Sequence, residues 1–231
     1  MFSRTCRSIR VIIAAVLALS LASCSGGSED EPDFGTNDTS MVVALGDSIT
    51  FGLFDTGVDT CDEYQRKKGG FCPRLEGMTG KTVVNRGACG ADSYDGVAQI
   101  TRVLDRYRPS VILIDYSPND IFNGTEVLIS NLRTMITAAR NNKTVPILGT
   151  LTPTTGAHEG WMDFIEAANS QILALCREER IECADHYRAF VQNPGFKTSP
   201  YFLLDGDGLH PNATGYQVMA DTWHRPLRDA Y

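Results

Sequence analysis

A serine hydroxyl becomes a nucleophile only when a base takes its proton, and a histidine base works best when a carboxylate fixes its tautomer. Two stretches of this chain could meet those needs. Val43-Ala44-Leu45 is an apolar run that stops at Gly46-Asp47-Ser48, which puts a serine where a buried strand ends in a glycine turn. Far downstream, Asp207-Gly208-Leu209-His210 sets an acid and a histidine three residues apart, close enough to share one loop. Ser48 as nucleophile, His210 as base and Asp207 as its orienting acid are therefore the candidate constellation, and the chemistry is acyl transfer.

Acyl transfer also needs donors aimed at the oxygen on which negative charge develops. Asn85-Arg86-Gly87-Ala88-Cys89-Gly90 offers backbone N–H groups, and Ser117-Pro118-Asn119-Asp120 offers a side-chain amide. Both follow apolar runs, so both are expected at strand ends.

Those runs define the scaffold. Residues 41–45, 82–84, 111–114, 145–148 and 181–184 are short and apolar, and Val111-Ile112-Leu113-Ile114 is the continuous type that suits a strand buried on both faces. Between them residues 94–107, 126–139, 161–177 and 213–227 carry apolar side chains at helical spacing. The alternation predicts an α/β protein, a flavodoxin-like three-layer α/β/α sandwich on about five parallel strands, with function at their carboxyl ends. Residues 51–80 form the one long departure, expected to be a functional rim beside Ser48.

Four blocks, Gly46-Asp47-Ser48-Ile49-Thr50-Phe51-Gly52, Asn85 with Gly90, Asn119-Asp120, and Asp207 with His210-Pro211-Asn212, resemble the motif blocks of the SGNH/GDSL hydrolases, in the family's order. The resemblance implies a serine esterase. In it Ser48, His210 and Asp207 form the triad, and the backbone N–H groups of Ser48 and Gly90 with the Asn119 amide form the oxyanion hole. Ser117-Pro118 departs from the family, which has a glycine there; proline fixes its own φ and pushes Ser117 toward extended backbone, so the Asn119 loop is expected to follow a slightly different path. A ligand-binding protein that keeps the fold without turnover is the alternative reading.

Other polar residues are expected to play lesser parts. Asp47 braces the nucleophile turn, Asp205 is a loop or capping acid, Asp120 is a helix N-terminal charge and Asp185 a strand-end residue. His158, His186 and His224 lack a partner pattern and are left outside the site. A flavodoxin-like cofactor carrier is disfavoured, since no phosphate-binding glycine motif or Walker lysine follows Gly46. No cofactor is expected, and without C-x-x-C or H-E-x-x-H spacing no metal either.

The first ten residues contain Arg4, Arg7 and Arg10 and no acid, and residues 11–22 are apolar but short for a bilayer span, as in a signal peptide. Leu21-Ala22-Ser23-Cys24 resembles a bacterial lipobox, which implies cleavage before Cys24 and its lipidation. The expected organisation is a signal peptide at 1–23, a lipidated Cys24 with a flexible acidic tether at 24–40, and a hydrolase domain at 41–231. Removing 23 of 231 residues leaves 208 and takes away three arginines, moving the formal charge from −7 to −10. No nucleic-acid partner is therefore expected, and the expected setting is extracytoplasmic and membrane-anchored, with a small-molecule, glycan or lipid ester as substrate. The Ser/Gly/acid-rich tether would span roughly 20 Å as a coil.

An oxidising compartment favours disulfides. Short intervening loops favour Cys61 with Cys72 and Cys176 with Cys183, leaving Cys89 as a small buried strand-end thiol. The mature chain has no long apolar stretch suited to an acyl tunnel, which favours short acyl groups.

Overall fold

The computed structural model describes residues 32–116 and 118–231; Cys24, the expected signal peptide at 1–23 and Ser117 lie outside them. Five strands form one parallel sheet: β1 (Asp38–Gly46), β2 (Thr82–Gly87), β3 (Pro109–Asp115), β4 (Val145–Gly149) and β5 (Cys183–Ala184), in the order β2-β1-β3-β4-β5. This is the flavodoxin-like order, whose switch point falls between β1 and β3. The crevice outside their carboxyl ends is therefore where Ser48 stands.

Every residue of β3 is buried, as its unbroken apolar run requires of a strand covered on both faces. One face carries α3 (Ser93–Tyr107), α4 (Thr125–Asn141) and α5 (Met162–Glu179), packed through Ile100, Leu132, Met135 and Ile172 against Val43, Leu45, Ile112 and Ile114. The opposite face carries α2 (Phe71–Thr79), α6 (His186–Gln192) and α8 (Ala213–Asp229), packed through Leu75, Phe190, Met219 and Trp223 against Val42, Ala44, Val111 and Leu113. Alternate residues of one strand thus feed two cores, the expected consequence of the period-two pleat. Two short helices, α1 (Ser48–Phe51) and α7 (Pro194–Thr198), complete the set.

Three expectations are corrected. The 51–80 segment is not one loop, because α2 fills its last third and helical packing of Phe71, Cys72 and Leu75 into the core draws it back to the sheet. The expected pairing of Cys61 with Cys72 does not form: Cys61 is bonded to Cys89, with Cα atoms 6.1 Å apart, and Cys72 is a buried free thiol. Proximity in sequence is overridden because the first turn of α2 points Cys72 into the core, while the rim loop carries Cys61 to the end of β2. Cys176 and Cys183 pair as expected. The expected start of the domain at 41 moves as well, since residues 38–40 belong to β1 and the Asn37 side chain donates to the carbonyls of Asn142 and Lys143, at 2.7 and 3.1 Å.

Candidate active site

β1 ends at Gly46, where a Cβ would lie 2.1 Å from the Asp115 carbonyl oxygen, so only glycine lets the two strand ends approach this closely. Asp47 then caps α1, its carboxylate accepting the Ile49 N–H at 2.8 Å. Capping a helix of only four residues holds its first residue, Ser48, in place at the carboxyl end of β1. Ser48 and His210 are 9% and 8% exposed, enough for a hydroxyl and a ring edge to meet a ligand and too little for bulk solvent to disorder them.

The Ser48 Oγ lies 2.8 Å from His210 Nε2, and His210 Nδ1 lies 2.6 Å from Asp207 Oδ2. With the ring proton on Nδ1, directed at Asp207, Nε2 is left to accept from the Ser48 hydroxyl. Asp207 Oδ1 accepts the backbone N–H groups of Leu209 and His210 at 2.9 and 3.0 Å. Burial pushes the Asp207 carboxyl up, but the hydrogen bonds from the His210 ring and these two N–H groups outweigh it, so its pKa lies below the ordinary value and the group is a carboxylate at neutral pH. The loop closes through the Asp205 N–H donating to the His210 carbonyl at 2.8 Å, and Phe54 packs edge-on to the imidazole with centroids 5.2 Å apart. Such a chain can move a proton from hydroxyl to imidazole and stabilise the imidazolium that results.

The loops after β2 and β3 flank this chain, since β2 and β3 are the two neighbours of β1. Gly90 sits at φ +74°, a left-handed conformation that glycine adopts without strain, and a Cβ there would meet nothing within 4 Å. Its loop is fastened by the Ala88 N–H to the Gly46 carbonyl at 3.0 Å. Asn119, in the single turn Pro118–Phe122, donates from Nδ2 to the Ala91 carbonyl at 2.9 Å, joining the two loops one residue past Gly90. Asn85 donates to the carbonyls of Thr50, Phe51 and Arg66, so it fixes the α1 turn and the rim.

Several neighbours were not foreseen. Asp120, in the first turn of Pro118–Phe122 as a helix N-terminal acid, is fully buried and also accepts the Ser93 N–H and hydroxyl at 3.0 and 2.6 Å, clamping the Asn119 turn to the start of α3. His158, left outside the site by the sequence, packs on Trp161 with centroids 4.6 Å apart, and its Nδ1 lies 3.0 Å from the Asp207 carbonyl oxygen. A backbone carbonyl carries no sequence signal, which is why this contact was invisible. Cys89 is a disulfide partner rather than a thiol. Asp55, buried in the rim, accepts the Gly70 N–H at 2.7 Å and pairs with Arg74. His186 is buried against Trp223 with centroids 4.8 Å apart, a packing role. Among the described residues no group of three His, Cys, Asp or Glu side chains is disposed to hold a metal ion.

The fold is shared with solved structures at low sequence identity. A lipase/acylhydrolase from Enterococcus faecalis superposes with a TM-score of 0.67 at 21% identity, over 82% of this chain and 95% of that one. A lipolytic protein of the G-D-S-L family from Desulfitobacterium hafniense gives 0.66 at 22%, over 81% and 99%. The structure named TesA gives 0.65 at 20%, over 83% and 99%. No curated protein matches. The family model of the GDSL-like lipases and acylhydrolases matches residues 44–218, a span that takes in Ser48, Gly90, Asn119, Asp207 and His210. Three-quarters of the sequence thus lies within that one match, and the chain belongs to the GDSL-like lipase/acylhydrolase family, hydrolases that act on ester bonds.

Proposed function

We propose that this protein is a serine esterase that cleaves carboxylic esters through an acyl-enzyme on Ser48. The observation that carries the reading is the unbroken hydrogen-bonded line from Ser48 Oγ through His210 to Asp207, at 2.8 and 2.6 Å. Ser48 Oγ attacks the carbonyl carbon as its proton passes to His210 Nε2. The tetrahedral oxyanion is held by the N–H groups of Ser48 and Gly90 and by the Asn119 amide. His210 then returns the proton to the departing alkoxide, leaving an acyl-Ser48 ester. A water molecule, deprotonated by His210, attacks that ester and releases the carboxylic acid.

The preferred acyl group is short. The reading is supported by the lack of a long apolar stretch in residues 41–231 and by Phe54, 36% exposed, as the apolar ring over His210. The N-terminal sequence supports a lipid anchor at Cys24 and an extracytoplasmic site of action. Hydrolysis of p-nitrophenyl esters from acetate to laurate tests the acyl preference. Activity highest at acetate or butyrate is expected, and an optimum near twelve carbons contradicts it.

A further inference from the structure

The free edge of the sheet carries a second chemistry. β2 pairs with β1 on one side and, among the described residues, with no strand on the other. Along it runs a cavity of about 490 Å³, bounded by Cys72 and Pro73 of α2 and by Arg106 and Tyr107 at the end of α3. A second cavity of about 370 Å³ shares Glu63, Arg66 and Arg86 with the first and reaches Phe51, Ala88 and Cys89. Cys89 precedes Gly90, and Phe51 ends the short helix that Ser48 begins, so the two cavities form one path from the sheet edge to the proposed oxyanion loop.

That path is cationic in a protein whose formal charge is −7. Arg66, Lys67, Arg86 and Arg106 line it against Glu63 and Glu76. Both acids are engaged: Glu63 pairs with Arg66 at 2.8 Å, and Glu76 Oε1 accepts the Val83 N–H at 2.9 Å. Arg86 is different. Its Nε is buried with no hydrogen-bond partner, although it is half-buried in a chain rich in carboxylates. Arg86 lines both cavities, and a guanidinium presents planar paired donors that suit a carboxylate or a phosphate. Register places Arg86 beside Leu45, one residue before the end of β1 and three before Ser48.

We propose that this path is a subsite for an anionic group of the ester substrate, a carboxylate or phosphate, with Arg86 as its principal ligand and Lys67 and Arg106 in support. The inference rests on Ser48 being the nucleophile and names the substrate class of that same site.

The test uses two matched substrate pairs: monobutyryl glycerophosphate against monobutyrin, and O-acetylated galacturonate oligosaccharide against its neutral galactose counterpart. The wild-type protein should show a KM about 10-fold lower for the charged member of at least one pair, and the pair that responds tells a phosphate from a uronate. Arg86→Gln should erase that advantage with kcat and p-nitrophenyl acetate hydrolysis unchanged. Lys67→Gln, on an exposed side chain that cannot compromise folding, should reduce it about threefold. Equal KM values within both pairs for the wild type, or an advantage that survives both substitutions, overturns the subsite. Fluorophosphonate labelling separates the two levels: a protein that labels at Ser48 but ignores substrate charge refutes the subsite alone, and one that does not label refutes the esterase reading and the subsite with it.

Discussion

In the proposed mechanism Ser48, His210 and Asp207 act as a unit, so each substitution should remove most of what the unit does. Asp207→Asn keeps the shape of the loop but lets His210 take the wrong tautomer, and kcat on p-nitrophenyl acetate should fall about 10⁴-fold with little change in KM. A loss below tenfold would show that Asp207 is not the orienting acid. His186 makes a separate prediction about stability. Burial holds its pKa down to about 3, against 6.5 when free, and neither ring nitrogen has a hydrogen-bond partner. The folded state therefore refuses a proton that the unfolded chain accepts, and stability present above pH 6.5 is lost as pH falls toward about 3, at up to about 1.4 kcal/mol per pH unit. Buried Asp115 works in the opposite direction, because burial and then the charge of Asp47 raise its pKa, favouring the fold at acid pH. Urea denaturation of the wild type and His186→Phe should isolate the histidine: the mutant should lose less stability than the wild type between pH 6.5 and 4. Parallel pH profiles would contradict the assignment. The Asp207–His210 pair was legible because D-x-x-H is a local pattern, and Ser48, 162 residues from His210, was legible as the Gly-Asp-Ser turn at a strand end, where such sheets gather their sites. The contacts of His158 and Asp120 were not, since their partners are a backbone carbonyl and a serine 27 residues away.

At the scale of elements, the rim between α1 and α2 is held at two points. The Cys61–Cys89 disulfide binds it to the residue before Gly90, and the Asp55–Arg74 pair binds it to α2, with Arg74 also donating to the Ala213 carbonyl at the start of α8. Closing a loop of separation 28 stabilises the fold by about 3.5 kcal/mol in the chain-entropy account. Cys61→Ser with Cys89→Ser should lower the melting temperature and also reduce kcat several-fold, since the Gly90 N–H loses its anchor. A fall in melting temperature with kcat intact would limit the bridge to a structural role. Arg74→Met leaves Asp55 buried without its cation and should destabilise by about 3–5 kcal/mol, measured by denaturant titration. The strands and major helices were readable from apolar periodicity, whereas the disulfide partner was not. It depended on which side of α2 faces the core, and only packing decides that for a cysteine near a helix start.

For the whole molecule, one sheet feeds both cores through alternate residues, so neither helical layer can leave without exposing the other. Ile112 and Leu113 point to opposite layers, and replacing either with alanine should cost about 2–5 kcal/mol and shift the same calorimetric transition. Two separable transitions would show that the layers unfold independently. The order β2-β1-β3-β4-β5 also explains why Ser48 stands where it does, at the switch point between β1 and β3, with the Gly90 and Asn119 loops on either side. The cationic path along β2 was not legible in the sequence, because it assembles residues from the rim, the edge strand and the end of α3. The central claim is that His210 and Asp207 make Ser48 the nucleophile. Peptide mapping by mass spectrometry after treatment with a fluorophosphonate tests it most directly. A single adduct on the peptide containing Ser48, absent from Ser48→Ala and strongly slowed in His210→Gln, is expected; an unmodified wild-type protein, or an adduct on any other residue, would contradict the account.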